Sequence, residues 1–332
     1  MESKVNIKKI AELAGVSVAT VSRVINQNGR FSAETEARVK KIIEDYHYIP
    51  NIVAKGLRTS QTKVIGVIVP DIVNTHFAAL VREIEKELFK RGFSTMICNT
   101  DESPAMERQH IEILAAQQVG GIIFISGSRS YKMDHDIPVI YVDRRPGDYN
   151  ENAQMVVVES DNVQGGYIAT ESLIRKGCRR IAILRALGVD YNQTARYEGY
   201  LRALLAYGLE NRAELNLNIP CVSMALARET VHKALDNGLQ FDGLVCNTDD
   251  LALGAVIAVR EHGIKIPEEI RIIGYDDIPM AAMYSPKLSS VHQPVDKMAA
   301  VAAELMVAML QGAPQKAELI QLPVYLTERE SY

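Results

Sequence analysis

The chain has 332 residues, 47% of them apolar and 23% charged, with four scattered cysteines (Cys98, Cys178, Cys221, Cys246) and no C-x-x-C pair. That length suits two or three compact units, the composition is far from that of disordered chains, and no apolar run reaches the length of a membrane span. Cysteine spacing speaks against a zinc cluster or a disulfide framework, and MESKVNIKKIAEL has no stretch suited to a signal peptide, so a globular protein of the reducing cytoplasm is expected. The net charge of −4 is unevenly spread: residues 1–60 carry ten Lys and Arg against six acids, a net +4, which leaves −8 on the rest. A basic head suits phosphate, and an acidic body does not.

In chain order, Ile7, Ile10, Leu13 and Ala14 recur at helical spacing, which predicts a short helix over 7–14. Gly15 supplies the left-handed turn and Ser17 the N-cap of a second helix through about Asn26. Val21 and Val24 are expected to pack back on Ile10 and Leu13, leaving Val18, Ala19, Ser22 and Arg23 on the other side. A third helix opens at Ser32 and runs to about Tyr46, with Val39, Ile42, Ile43 and Tyr46 along one face. Three short helices with a three-residue first turn match the helix-turn-helix unit that reads DNA. Its second helix would carry Val18 and Ala19 to thymine methyls and Ser22 to a base or phosphate. Periodicity and charge also admit a plain three-helix bundle with no ligand.

Beyond the polar linker 59–63 the pattern alternates. Strand-length apolar runs lie at 64–69, 95–98, 121–125, 139–142, 155–158, 181–184, 243–246, 270–274 and 289–292. Amphipathic helices are expected at 77–91, 105–118, 164–176, 194–207, 251–261 and 296–311. This alternation predicts parallel α/β sheets, and about 270 residues are enough for two of them.

In such sheets ligands gather at the carboxyl ends of strands. Asp143 and Arg144 follow VIYV, Asp161 follows VVVES, Asp249 and Asp250 follow LVCNT, and Asp276 ends IIGYD. Arg196 lies early in a helix after the loop 188–193, and Phe77 offers an apolar face. Carboxylates that accept and a guanidinium that donates suit a polyol. For Asp161 and Asp249 a helix N-cap remains the alternative. Walker, G-x-S-x-G and H-E-x-x-H motifs are absent. His76, His110 and His292 show no partner constellation in the sequence. The expectation is no catalytic residue, no cofactor and no metal site.

IAELAGVSVATVSRVIN (10–26), YIPN (48–51) and IVAKGL (52–57) resemble the lactose/galactose-repressor family of bacterial transcription regulators. VIGVIVPDI (64–72), DNVQGGYIAT (161–170), LVCNTDDLALGA (244–255) and IRIIGYDDI (270–278) extend the resemblance to essentially the whole chain. It implies an all-α helix-turn-helix headpiece (1–50), a hinge helix and linker (51–62), and an α/β core of two parallel-sheet lobes (63–332) like periplasmic sugar-binding proteins. The N-lobe would hold about 63–160 plus 294–325 and the C-lobe about 161–291.

The resemblance adds Ser17, Thr20, Arg23, Asn26 and Tyr48 to the DNA-contacting set. Asn51, Ala54, Lys55 and Leu57 join from the hinge, Leu57 as a minor-groove wedge. Lys55 stands where many members have Arg. In the core it implies that Asn74, Phe77, Asp143, Arg144, Arg196, Thr248, Asp276 and Gln293 surround a sugar-like effector, with Asp161 counted beside them. Thr248 departs from the family's usual Asn, and Asp190 stands where purine-binding relatives need Arg, which argues against a nucleobase.

The implied function is a dimeric repressor on an inverted-repeat operator, controlled by a sugar or sugar phosphate that either induces or corepresses. No leucine-heptad tail points to a tetramer. One rival is a catabolite-control-type regulator driven by a phosphorylated carrier protein. ISGS (125–128) and the Lys/Arg-poor helix at 78–90 give it mixed support, and the intact Asp143, Arg144 and Arg196 set opposes it. The other, a sugar-binding transport component, is opposed by the basic head and the lack of a signal peptide.

Overall fold

The computed structural model describes residues 5–48, 62–125, 137–147, 149, 155–188, 191–314 and 317–332. The expected hinge residues Asn51, Ala54, Lys55 and Leu57, most of ISGS, and Asp190 lie outside the described residues. The chain divides into two compact units, Met1–Thr62 and Lys63–Tyr332.

In the first unit, helix α1 (Ile7–Ala14) starts at Asn6, whose Oδ1 accepts from the Lys9 amide, and ends at Gly15 with φ 64. The Gly15 amide returns to the carbonyls of Ala11 and Glu12, closing the helix with a residue that bears no Cβ penalty there. Ser17 caps α2 (Val18–Asn26) and Ser32 caps α3 (Ala33–Asp45), each accepting from the amide three residues on. Ile10, Ala11, Ala14, Val21, Val24 and Val39 form the core.

Leu13 does not join it and is 38% exposed. At 3.6 residues per turn Leu13 falls about 100° from the centre of the face formed by residues 10, 11 and 14. Two alanines on that face let α1 and α2 approach closely.

Among the described residues, the second unit holds two six-stranded sheets of the same plan. The first runs β11-β5-β4-β3-β1-β2, with β1 (Val64–Val69), β2 (Ser94–Asn99), β3 (Gly121–Phe124), β4 (Val139–Val142), β5 (Val156–Ser160) and β11 (Glu318–Leu322). The second runs β12-β10-β9-β8-β6-β7, with β6 (Ile181–Ala186), β7 (Asn216–Ile219), β8 (Gly243–Cys246), β9 (Arg271–Asp276), β10 (Ser289–His292) and β12 (Tyr325–Thr327). Every neighbouring pair is parallel except β10 with β12.

Helices α4 (Thr75–Lys90), α5 (Pro104–Ala116) and α11 (Val295–Leu310) belong with the first sheet. Helices α6 (Asn162–Arg175), α7 (Tyr191–Ala206), α8 (Met224–Asp236), α9 (Asp249–Glu261) and α10 (Pro279–Met283) belong with the second. The chain crosses between lobes after β5, after β10 and after β11. The final crossing carries β12 and the last residues back to the second lobe.

Strands buried along nearly their whole length read as near-continuous Val/Ile runs, as expected for a sheet covered on both faces. Helices α6 and α7 meet at two glycines. A Cβ on Gly166 would lie 2.0 Å from the Arg196 carbonyl oxygen, and one on Gly199 would lie 2.0 Å from that of Val163. Only glycine permits this backbone-to-backbone contact, which fixes where Arg196 stands.

Candidate functional site

Loops at the carboxyl ends of both sheets converge on one polar cluster. His76, in the first turn of α4, places Nε2 3.2 Å from Asp143 Oδ1, just beyond β4. Gln293, just beyond β10, donates from Nε2 to Asp276 Oδ1 at 2.7 Å and accepts from Ser160 Oγ at 2.7 Å. It thereby ties the end of β5 in one lobe to the end of β9 in the other, and its Nε2 lies 3.4 Å from His76 Nε2. Asn192 of α7 donates across the cleft to the Asp143 carbonyl at 3.1 Å.

Arg196 is 4% exposed and packs its guanidinium 3.6 Å from the Tyr275 ring centroid. Its Nε donates to Asn162 Oδ1 at 2.8 Å and its Nη1 to the Asn247 carbonyl at 2.6 Å, while Asp276 Oδ1 lies 3.6 Å away. Asn247 Nδ2 donates to Gln193, and its Oδ1 is buried with no hydrogen-bond partner among the described residues.

Asp143 and Asp276 both have left-handed backbones, with φ of 71 and 107. Such geometry in a non-glycine residue costs about 1–3 kcal/mol and gathers at functional sites.

Their ionisation differs. Burial works to raise the Asp143 carboxyl, but His76, Arg196 and Arg144 outweigh it and hold it below its ordinary range. Burial also dominates at Asp276 and there prevails, pushing the carboxyl up despite His76 and Arg196. For His76, burial favours the neutral ring, yet the charges of Asp143 and Asp276 raise its affinity for a proton. The cleft therefore offers a hydrogen-bonded imidazole–carboxylate pair, a second carboxyl with weaker charge support, a guanidinium, side-chain amides and the ring of Phe77. Such donors and acceptors suit an uncharged, hydroxyl-rich molecule.

The remaining expected residues are distributed as follows. Phe77 is buried, edge-on to His76, with the Arg144 guanidinium 4.8 Å from its ring centroid. Arg144 also donates to Glu102 at 2.9 Å. Asn74, Asp161 and Thr248 are the N-caps of α4, α6 and α9, so their side chains already accept backbone amides. Asp249 is fully buried, accepting from Ser290 Oγ at 2.6 Å and the Ile278 amide at 2.8 Å. It braces the second lobe.

The histidines are not isolated. His76 belongs to the cluster, His110 Nε2 lies 3.0 Å from the Asn99 carbonyl, and His292 Nδ1 lies 2.9 Å from Asp277. Asn162, Asn192 and Asn247 were also missed. Asn162 and Asn192 stand in the first turns of helices that follow strands, the one positional signal available.

Within the first unit, Ser17 and Thr20 share a hydroxyl contact of 2.9 Å at the start of α2. Ala19 and Arg23 are exposed, Ser22 is half-buried, and Val18 and Tyr48 are half-buried against the head's core. Asn26 ends α2. Val18 thus divides itself between core and surface.

A profile for bacterial regulatory proteins of the lacI family matches residues 6–51, and one for a periplasmic binding protein-like domain matches 170–332. The chain is 32% identical over 331 residues to the HTH-type transcriptional regulator RegA of Clostridium saccharobutylicum, covering 98% of this chain and 97% of that protein. It is 31% identical over 341 residues to the HTH-type transcriptional repressor PurR of Pasteurella multocida, covering 98% of each. It is 32% identical over 328 residues to the ribose operon repressor of Halalkalibacterium halodurans, covering 98% and 96%. Among solved structures, a transcriptional regulator CelR–cellobiose complex superposes with a TM-score of 0.74 at 28% identity, covering 99% of this chain and 100% of that one. A lac repressor dimer bound to operator and an anti-inducer shares the fold, with a TM-score of 0.88 at 23% identity and 99% of each chain covered.

Proposed function

We propose, from the premise that the chain belongs to the lacI family of bacterial regulatory proteins and is a DNA-binding transcriptional regulator, that it is a repressor of carbohydrate use governed by a small sugar-like effector in the inter-lobe cleft. One observation carries this reading. Acceptors (Asp143, Asp276) and donors (His76, Arg196, Asn192) from both lobes converge beside Phe77, with Gln293 spanning the lobes. A ligand exchanging hydrogen bonds with that set would shift the balance between lobe arrangements by its differential affinity for them.

We read the regulator as a cytoplasmic homodimer rather than an enzyme. Two α2 helices would present Val18, Ala19 and Ser22 to the halves of an inverted repeat, and two Leu57 side chains would enter the minor groove at its centre. A pyrimidine–purine step, CG by family resemblance, lowers the cost of unstacking there.

The test is a thermal-shift screen of the full chain against pentoses, hexoses, their phosphates and purine bases, followed by operator selection from a random pool. A cognate sugar at 100 times Kd should add about 2.7 kcal/mol of stability. The similarity to PurR gives purines a place in the screen. A shift with purines alone replaces the sugar reading with a purine one. A response that needs a phosphorylated carrier protein favours the catabolite-control reading. Asymmetric selected sites would remove the dimer model.

A further inference from the structure

Helices α8 and α9 run back along the second sheet, antiparallel to the strands they follow, so their C-terminal ends lie toward the amino ends of the strands, opposite the cleft. His232 and Asp236 stand one turn apart on α8, and His262 directly follows α9. His232 Nδ1 is 3.0 Å from Asp236 Oδ2, and His262 Nε2 is 3.0 Å from Asp236 Oδ1. The imidazole rings meet edge to face at 4.4 Å, and one donor atom from each of the three residues falls within 4.8 Å of the others.

The hydrogen bond on the far side of His262 decides what the cluster wants. Its Nδ1 lies 2.8 Å from the Ala258 carbonyl oxygen, which can only accept. Nδ1 therefore carries the hydrogen, and in the neutral ring the Nε2 lone pair faces the Asp236 carboxylate. In that form two acceptors face each other at 3.0 Å, and what lies between them is either a second ring proton or a metal ion. Asp236 is also the last residue of α8, where the helix macrodipole disfavours a carboxylate and favours positive charge. The nearby Arg228 is engaged with Glu261 at 2.8 Å, so its charge is already matched.

Two imidazoles and one carboxylate form a zinc-type donor set, and a backbone carbonyl holding the far nitrogen is the usual outer support of a metal-bound histidine. The two 3.0 Å contacts fall on different oxygens of Asp236, so a metal held by one of them would draw the three donor atoms, now within 4.8 Å of one another, in toward the ~3.3 Å edge of a tetrahedron built on ~2.0–2.1 Å bonds. We propose that His232, Asp236 and His262 bind a divalent transition-metal ion of the zinc type, which clips α8 to α9. Cysteine spacing gave no sign of such a site because none of its ligands is a cysteine. The proposal is independent of the cleft reading.

Metal-free full-length protein is titrated with Co2+ and then Zn2+, followed by calorimetry and visible absorption. The expected result is one equivalent per chain, with the intense bands of tetrahedral Co2+, displaced by Zn2+. Loss of an outer-shell partner alone costs about 10–100-fold in affinity, so Asp236→Asn and His232→Gln should each weaken binding by at least about 100-fold. Both substitutions are near-isosteric or at the surface, and circular dichroism confirms the fold. His292→Gln, at a separate His–Asp pair, should leave the titration unchanged. Wild-type affinity in Asp236→Asn, or no equivalent bound by the wild type, makes the cluster a proton-bridged His–Asp–His triad and overturns the metal site.

Discussion

At the ends of its strands the first lobe sets an imidazole against a carboxylate, His76 to Asp143 at 3.2 Å. At the equivalent edge the second lobe sets a guanidinium over a phenol ring, with Asp276 3.6 Å from Arg196. Strand order is the same in both, so topology does not explain why Asp143 is held low and Asp276 pushed up. Partner commitment does. His76 directs Nε2 at Asp143, whereas Arg196 spends its short hydrogen bonds on Asn162 and the Asn247 carbonyl. A charge tied to neutral groups of its own lobe orients without fully compensating its carboxylate.

The largest expected difference between the lobes is steric. Gly199→Ala drives a Cβ to 2.0 Å from the Val163 carbonyl oxygen, and backbone cannot step aside cheaply. Gly66→Ala in β1 meets only the Leu114 side-chain tip, at 2.6 Å. Urea unfolding should show a loss of about 3 kcal/mol or more for Gly199→Ala and about 1 kcal/mol for Gly66→Ala. Equal losses would show that α6 and α7 can separate without harm, and the placement of Arg196 would lose its basis.

Next comes binding. Arg196→Ala should cost about 1.5–3 kcal/mol of effector affinity, roughly 10- to 150-fold, while operator binding without effector persists. Arg144→Ala, on an arginine paired with the exposed Glu102, should cost less than about tenfold. Calorimetry with the effector found by screening measures both. Equal effects would mean that the first lobe contributes as much to recognition as the second.

How far the sequence foretold this arrangement depends on burial and on distance along the chain. β1, β4, β8 and β10 match their apolar runs end to end because each is buried and bounded by polar or turn residues. β7 (NLNI), β11 (ELIQL) and β12 (YLT) escaped notice. They are short edge strands, and solvent on one side dilutes their apolar signal. α8 was missed for a similar reason, since only Ala227 and Val231 are buried along it. The carboxylates and Arg196 were legible as charges placed after strands. His76 was not, because Asp143 lies 67 residues away and Gln293 217. Caps at Asn74, Asp161 and Thr248 answer to local backbone need, which sequence alone does not separate from ligand binding.

A smaller effect is expected at the edge strand of the second lobe. Asp277 accepts from Arg329, and from Thr327 Oγ1 at 3.0 Å, and lies 2.9 Å from His292 Nδ1, pinning β12 and the C-terminal residues to β9 and β10. β11 pairs with β5 in the first lobe through its backbone register. Asp277→Asn removes the charge that Arg329 and His292 hold and should cost about 1–2 kcal/mol in chemical denaturation. No loss would show that β12 is held by its backbone alone, as an ordinary edge strand.

The smallest expected effect tests the ion pair itself. His76→Gln keeps a donor near Asp143 and removes only the charge, whose attraction is partly offset by the cost of burying it. The loss near neutral pH should be about 1 kcal/mol or less. Its pH dependence is the sharper readout. The folded protein raises His76 above 6.5, so that contribution is complete below 6.5 and fades as pH rises through the raised value. Asp143 is lowered below 3.8, so its contribution is complete above 3.8 and fades as pH falls through the lowered value. The difference in Tm between wild type and His76→Gln should therefore be greatest on the acid side of neutrality and shrink as pH rises. A difference that stayed flat or grew with pH would mean a neutral His76. Asp143 would then stand as weakly supported as Asp276, and the contrast between the lobes would lie in their side chains' shapes rather than in their charge.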